Sequence, residues 1–98
     1  MLQALFVELI GTFIFINVIF QFASKDWGAI AIGLALAVAV LFGGSISGGH
    51  FNPAVSVAMC IAKKIDIATL FGYVVMQLIG GYLAWAMYTK KIIPPGLY

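Results

Sequence analysis

The chain has 98 residues, 64% of them hydrophobic and only 8% charged, with a net charge of +2. A water-soluble domain carries about 25% charged residues, so this composition excludes one and points to a multi-span membrane protein with almost no extramembrane mass. Five lysines without arginine are too few for a nucleic-acid surface, and the single Cys60 gives neither a disulfide framework nor a metal cluster.

The first apolar run is Ala4–Ala23. It has no basic leader, it carries Glu8, and no small-x-small cleavage site precedes Lys25, so it reads as a span rather than a signal peptide. Trp27–Gly44 follows without a single charge, and the third run is Ile67–Tyr88. At about 1.5 Å per residue each run can cross a hydrocarbon core of about 30 Å. Lys25-Asp26 separates the first two runs, Lys63-Lys64-Ile65-Asp66 precedes the third, and Thr89-Lys90-Lys91 with Pro94-Pro95-Gly96 ends it. Trp27, Trp85 and Tyr88 lie near span ends, where amphipathic rings favour the membrane interface.

Residues 45–63 lie between the second and third spans. Ser45–Asn52 reads as irregular, and Pro53–Lys63 as a short helix with Asn52 as N-cap and Pro53 at the first helical position. This helix is half a bilayer long, mostly apolar, and stops at basic residues that suit both the dipole and water. A surface loop would leave its Val, Met and Ile side chains at the interface. A dip into the membrane and back puts Lys63-Lys64 in water on the side from which the third span departs. The Gly-rich stretch then lies at membrane depth, where non-helical backbone is tolerated only if it lines a wet cavity or is buried in protein. The fold class is therefore an all-α membrane protein with three transmembrane helices and one re-entrant half-helix.

Gly48-Gly49-His50-Phe51-Asn52-Pro53-Ala54-Val55 resembles the signature loop of the first half of the aquaporin and glycerol-facilitator (major intrinsic protein) family. Glu8-Leu9-Ile10-Gly11-Thr12-Phe13 resembles the family's first helix. Ile32-Gly33-Leu34 and Ser45-Ile46-Ser47-Gly48 resemble its second helix and the exit from it, and Tyr73, Gln77 and Gly80 its third. The resemblance covers residues 4–88 and implies half of a six-helix bundle. In the family two half-helices meet N-terminus to N-terminus at the midplane, and each motif asparagine donates to the permeant. It implies Asn52 as the donor and Pro53 and Ala54 as the half-helix contact. It also implies carbonyls of Gly48, Gly49 and His50 as acceptors, Ile32 at a selectivity-filter position, and Glu8 and Gln77 as polar support. The implied function is passive passage of water and small neutral solutes such as glycerol, without a cofactor, in a homo-oligomer, a tetramer by the same resemblance. An aliphatic Ile32 is neither an aromatic nor a polar clamp, so it permits glycerol-sized solutes.

The family pattern needs two halves and this chain has one, with no second Asn-Pro-Ala and no arginine. Three readings stay open: a fragment of a longer chain, an inverted homodimer, and a truncated product without transport. The fragment comes first, because the chain ends where the family's next loop begins. Lys63 and Lys64 on one side against Lys25, Lys90 and Lys91 on the other give little orientation bias, which an inverted pair needs. Other functions carried alongside are a regulatory subunit of a full channel and a cation or proton path through Glu8 and His50.

Glu8 inside a span is costly and marks a site, with the loop backbone or His50 as its expected partner. Asn17 and Gln21 read as helix–helix bonds or interface residues rather than pore residues, Gln77 as a bond to loop or half-helix backbone, and His50 as a packed side chain. Gly11, Gly33, Gly72, Gly80 and Gly81 read as close helix crossings. One histidine and three scattered acids converge on no metal site, and no constellation for nucleophilic or acid–base chemistry is present, so the chain is not expected to be an enzyme.

Overall fold

Apolar, helix-compatible sequence runs unbroken through three stretches, and each folds as one long helix. The computed structural model describes residues 1–90 as α1 (Leu2–Phe22), α2 (Gly28–Ser47), α3 (Pro53–Ile61) and α4 (Ile67–Thr89). Lys91 and Pro94-Pro95-Gly96 fall outside the described residues. The three long helices have 21, 20 and 23 residues and are apolar enough to span a membrane.

Local chemistry sets the ends. α2 continues to Ser47, beyond the Gly44 expected from sequence, because Ser45, Ile46 and Ser47 are all tolerated in a last helical turn. The break falls at Gly48, which takes φ 92° and donates its N–H to the Gly44 carbonyl at 2.8 Å. The irregular segment is thus shorter than Ser45–Asn52. α3 starts as its sequence demands, with Asn52 Oδ1 accepting from the Ala54 N–H at 2.8 Å and Pro53 in the first turn. It ends at Ile61, two residues before Lys63. There Lys63 (φ 63°) donates to the Cys60 carbonyl at 3.0 Å and Lys64 to that of Met59 at 2.8 Å, a paired closure of the last turn. Asp66 caps α4 by accepting from the Thr69 N–H at 2.8 Å.

α1 is the central helix. It packs against α2 and α4, and α3 packs against α4. Among the described residues α2 packs along α1, meeting α4 only where the Tyr73 hydroxyl reaches Ser47 at its end. A Cβ on Gly43 would sit 2.6 Å from Val7 Cγ1, whereas Phe22 and Trp27 meet at the turn, so α1 and α2 are antiparallel. Leu5 lies on Gly72, Leu9 on Gly80 and Phe20 on Tyr88, so α1 and α4 run parallel. Gly80 crosses directly against backbone: a Cβ there would lie 2.7 Å from the Leu9 carbonyl oxygen. Gly33, read from sequence as a crossing, has nothing within 4 Å of its Cβ position, because α2 has no helix on that side.

The distribution of side chains is inverted relative to a soluble protein. The largest fully buried side chains are Gln77, Glu8, Thr12 and Ser56, while Leu41 and Phe42 are 80% and 81% exposed. In water that arrangement would waste the hydrophobic effect. In lipid it is the stable one, since the apolar surface meets acyl chains and the polar groups meet one another. The chain is an integral membrane protein.

Candidate functional site

Glu8 is the hub of the polar interior. It projects from α1, is completely buried, and receives four hydrogen bonds from groups far away in sequence. Oε2 accepts from Ser47 Oγ at 2.7 Å and the His50 N–H at 3.0 Å. Oε1 accepts from the Phe51 N–H at 2.7 Å and Gln77 Nε2 at 2.9 Å. A carboxylate only accepts, and every partner here donates, so its lone pairs are filled as burial requires. One side chain thereby ties the end of α2, the loop after it, and α4 to α1.

Gln77 extends the network. Its Nε2 also donates to Ser56 Oγ at 2.9 Å, and Ser56 Oγ lies 2.8 Å from His50 Nδ1. The amide orientation is forced, because the reverse would set Gln77 Oε1 against the Glu8 carboxylate. These partners are side chains rather than the backbone expected from sequence, since Ser56 on the inner face of α3 intervenes. Tyr73, one turn before Gln77, packs edge-on to the His50 ring and donates its hydroxyl to the Ser47 carbonyl at 2.6 Å. Gln77 stands about halfway along α4 and Ser56 one turn into α3. The N-terminus of α3 therefore lies at mid-depth of the bundle, and α3 runs back toward the start of α4.

The loop between α2 and α3 is built from left-handed residues: Gly48 (φ 92°), Gly49 (φ 66°) and Phe51 (φ 55°). Glycine adopts this region freely, but Phe51 does so at a cost of about 1–3 kcal/mol, offset by its N–H bond to Glu8 and by burial of its ring. Asn52 then leaves extended (φ −161°, ψ 123°). With Oδ1 held by Ala54, its Nδ2 donates to nothing among the described residues, and the residue is exposed. The carbonyls of Gly48, Gly49 and His50 likewise accept from no donor among the described residues.

The structure thus brings Glu8, Gln77, His50 and the loop into one cluster, with Asn52, Pro53 and Ala54 at its edge. Ile32 is half-buried on α2 and belongs neither to that cluster nor to the apolar groove between α1 and α2. Asn17 bonds within its own helix, Nδ2 to the Phe13 carbonyl at 2.9 Å, rather than across to another. Sequence reasoning missed Ser47, Ser56, Tyr73 and Phe51 as members of the site. A signal existed for two of them. Ser56 is the one polar side chain within an otherwise apolar short helix, and Tyr73, Gln77, Gly80 and Ala84 fall on one face of α4 and are all buried.

A three-span protein with a carboxylate-centred interior and a short helix starting at mid-depth is a narrow architectural class. The family model described as "Major intrinsic protein" matches residues 23–94, and the chain belongs to that family. It is 41% identical over 95 residues to "Glycerol uptake facilitator protein-like 6" of Lactiplantibacillus plantarum, which covers 92% of this chain and 44% of the relative. It is 35% identical to "Aquaporin Z" of Photorhabdus laumondii over 89% of this chain and 42% of that one. With "Aquaporin-8" of Mus musculus it shares 39% identity over 95% of this chain and 38% of the relative. The chain spans about two-fifths of the length of these curated relatives.

Proposed function

We propose that the chain forms one half of a passive channel for water and small neutral solutes such as glycerol, with Asn52 as the hydrogen-bond donor to the permeant. The observation that carries this is the Asn52 amide. Its oxygen is committed to capping α3, which leaves Nδ2 without an acceptor among the described residues on an exposed side chain at the mid-depth end of a helix. A water or hydroxyl oxygen can accept from Nδ2 while its own hydrogen bonds to the free carbonyls of Gly48, Gly49 or His50. Each step exchanges one hydrogen bond for another, so a neutral solute need not lose its hydration uncompensated. The N-terminus of α3 adds a partial positive charge of about half a unit, which opposes cations. Glu8 cannot coordinate a passing ion, because its oxygens are occupied by four donors. This chemistry favours a channel over an enzyme and over a cation path. The names of the relatives, glycerol facilitator and aquaporin, support the same substrate class.

The other half of the pore is a second repeat of the same kind in inverted orientation, facing Asn52 and supplied by a further stretch of chain or by another copy. Ile32 contributes an aliphatic wall on the α2 side, and tetrameric assembly of such pores belongs to the same proposal. The test is osmotic shrinkage of proteoliposomes, with sucrose and then glycerol as osmolyte. They would hold the chain alone, or the chain fused ahead of the second half of the Photorhabdus relative. Water flux above empty vesicles, lost on Asn52→Asp together with a rise in cation leak, is the expected result. Folded, inserted protein that conducts in neither format would overturn the reading.

A further inference from the structure

We propose that Phe51 is the positioning residue for Asn52. Its ring, wedged into the space left by Gly11 of α1 and in contact with Gly43 of α2, fixes the direction in which the neighbouring amide is presented. The inference rests on the reading of Asn52 as the permeant's donor, although the wedge is a feature of the packing alone.

Phe51 is unusual in two independent ways. Of the eight phenylalanines in the chain it is the only buried one, at 3% exposure, while the others meet the membrane-facing surface in whole or part. It also occupies a left-handed backbone conformation, one residue beyond Gly48 and Gly49, which adopt the same region without strain. A third glycine would satisfy the backbone better, so the ring must supply what glycine lacks. The socket explains what that is. A Cβ at Gly11 would overlap the ring, lying 2.5 Å from Cδ1 and 2.7 Å from Cζ, and a Cβ at Gly43 would lie 3.4 Å from Cζ. The ring thus occupies space that Gly11 leaves open on α1 and lies in ordinary contact with Gly43 of α2, and it lines the apolar groove of about 590 Å³ between the two helices.

The two anchors act on different degrees of freedom. Glu8 holds the His50 and Phe51 N–H groups, but hydrogen bonds of that kind leave the peptide free to swing about them. The ring, fixed between α1 and α2, removes that swing. No residue intervenes before Asn52, whose extended backbone and cap to Ala54 carry the orientation on to Nδ2. Glu8 sets where the loop sits, and Phe51 sets which way its last residue points.

The experiment uses the whole chain in micelles, labelled with ¹⁵N-asparagine. The chain has two asparagines, Asn17 and Asn52, so only two side-chain amide pairs appear, and Asn17 serves as an internal reference. Gly11→Ala, which ejects the ring, is expected to move the Asn52 pair and leave the Asn17 pair in place. Gly11→Ala with Phe51→Leu removes Cε1 and Cζ, two of the three clashing ring atoms, and is expected to bring the Asn52 pair back toward its wild-type position. Lost thermal stability with an unmoved Asn52 pair, or no return in the double variant, would overturn the proposal. If Gly11→Ala does not fold, Phe51→Leu alone decides by linewidth, because loss of the ring current shifts the pair in any case: a broadened Asn52 pair supports positioning, and one as sharp as in the wild type overturns it. Water flux of the same variants in the fused format separates the two readings. A displaced Asn52 with full flux keeps the positioning role and rejects the donor role.

Discussion

Replacing Glu8 by glutamine changes one oxygen into an NH₂ group and leaves the shape intact, so it isolates the acceptor role. Two placements of the new amide are available. With nitrogen at the Oε1 position it would face two donors, the Phe51 N–H and Gln77 Nε2. With nitrogen at the Oε2 position it can donate to Ser47 Oγ, whose hydroxyl turns to the Gly43 carbonyl already 3.4 Å away, and only the His50 N–H is orphaned. The second placement therefore wins. A buried unpaired N–H costs about 1–3 kcal/mol, and the remaining bonds lose their charge assistance, for a total of about 2–4 kcal/mol. Denaturant unfolding in micelles measures the sum, and amide hydrogen exchange locates it, with the largest loss of protection expected at His50. An unfolding free energy changed by less than about 0.5 kcal/mol, with the His50 amide as protected as before, would refute the idea that this carboxylate organises the loop.

Two further predictions concern single elements. Gly80→Ala places a Cβ 2.7 Å from the Leu9 carbonyl oxygen and 3.1 Å from the Phe13 nitrogen. Backbone cannot yield as a side chain can, so α1 and α4 must part at a cost of about 1–3 kcal/mol in unfolding free energy. Gly81→Ala, 3.4 Å from the tip of Ile16, serves as the near-neutral control. Asp66 is held below its ordinary carboxylate pKa of 3.8 by hydrogen bonding to Thr69, through the side chain first and the backbone N–H second. A depressed folded-state pKa contributes stability above the unfolded value and loses it as pH falls through the folded one. Exchange at the Thr69 amide is therefore expected to be pH-insensitive in its protection above about pH 5 and to lose protection only on acidification past the ordinary aspartate range. A protection loss near neutral pH would contradict the assignment.

The membrane character, the three long helices and the capped short helix were legible because each is a local property. An uncharged apolar run has one low-energy state in lipid whatever its neighbours, and Asn52-Pro53 makes a helix start from side-chain chemistry two residues long. The family resemblance rested on the same short motifs. Errors clustered where a residue's role depends on what faces it. Gly33 looked like Gly80 in sequence, yet only Gly80 has a helix across from it. Asn17 invited a bond to another helix, yet its amide turns back to its own. Ser47 and Ser56 are ordinary residues in apolar helices until Glu8 and Gln77 arrive beside them.

The sequence by itself determined that this chain enters a membrane, where its helices begin, and that Asn52 caps a half-length one. Only the tertiary structure decided that Glu8 meets donors 39 to 69 residues away and that the Phe51 ring enters a space left open by Gly11. The physical reason is range. Helix propensity, capping and transfer to lipid act over a few residues and are summed along the chain. The satisfaction of a buried carboxylate and the filling of a socket depend on three helices arriving in one place, and nothing local encodes that.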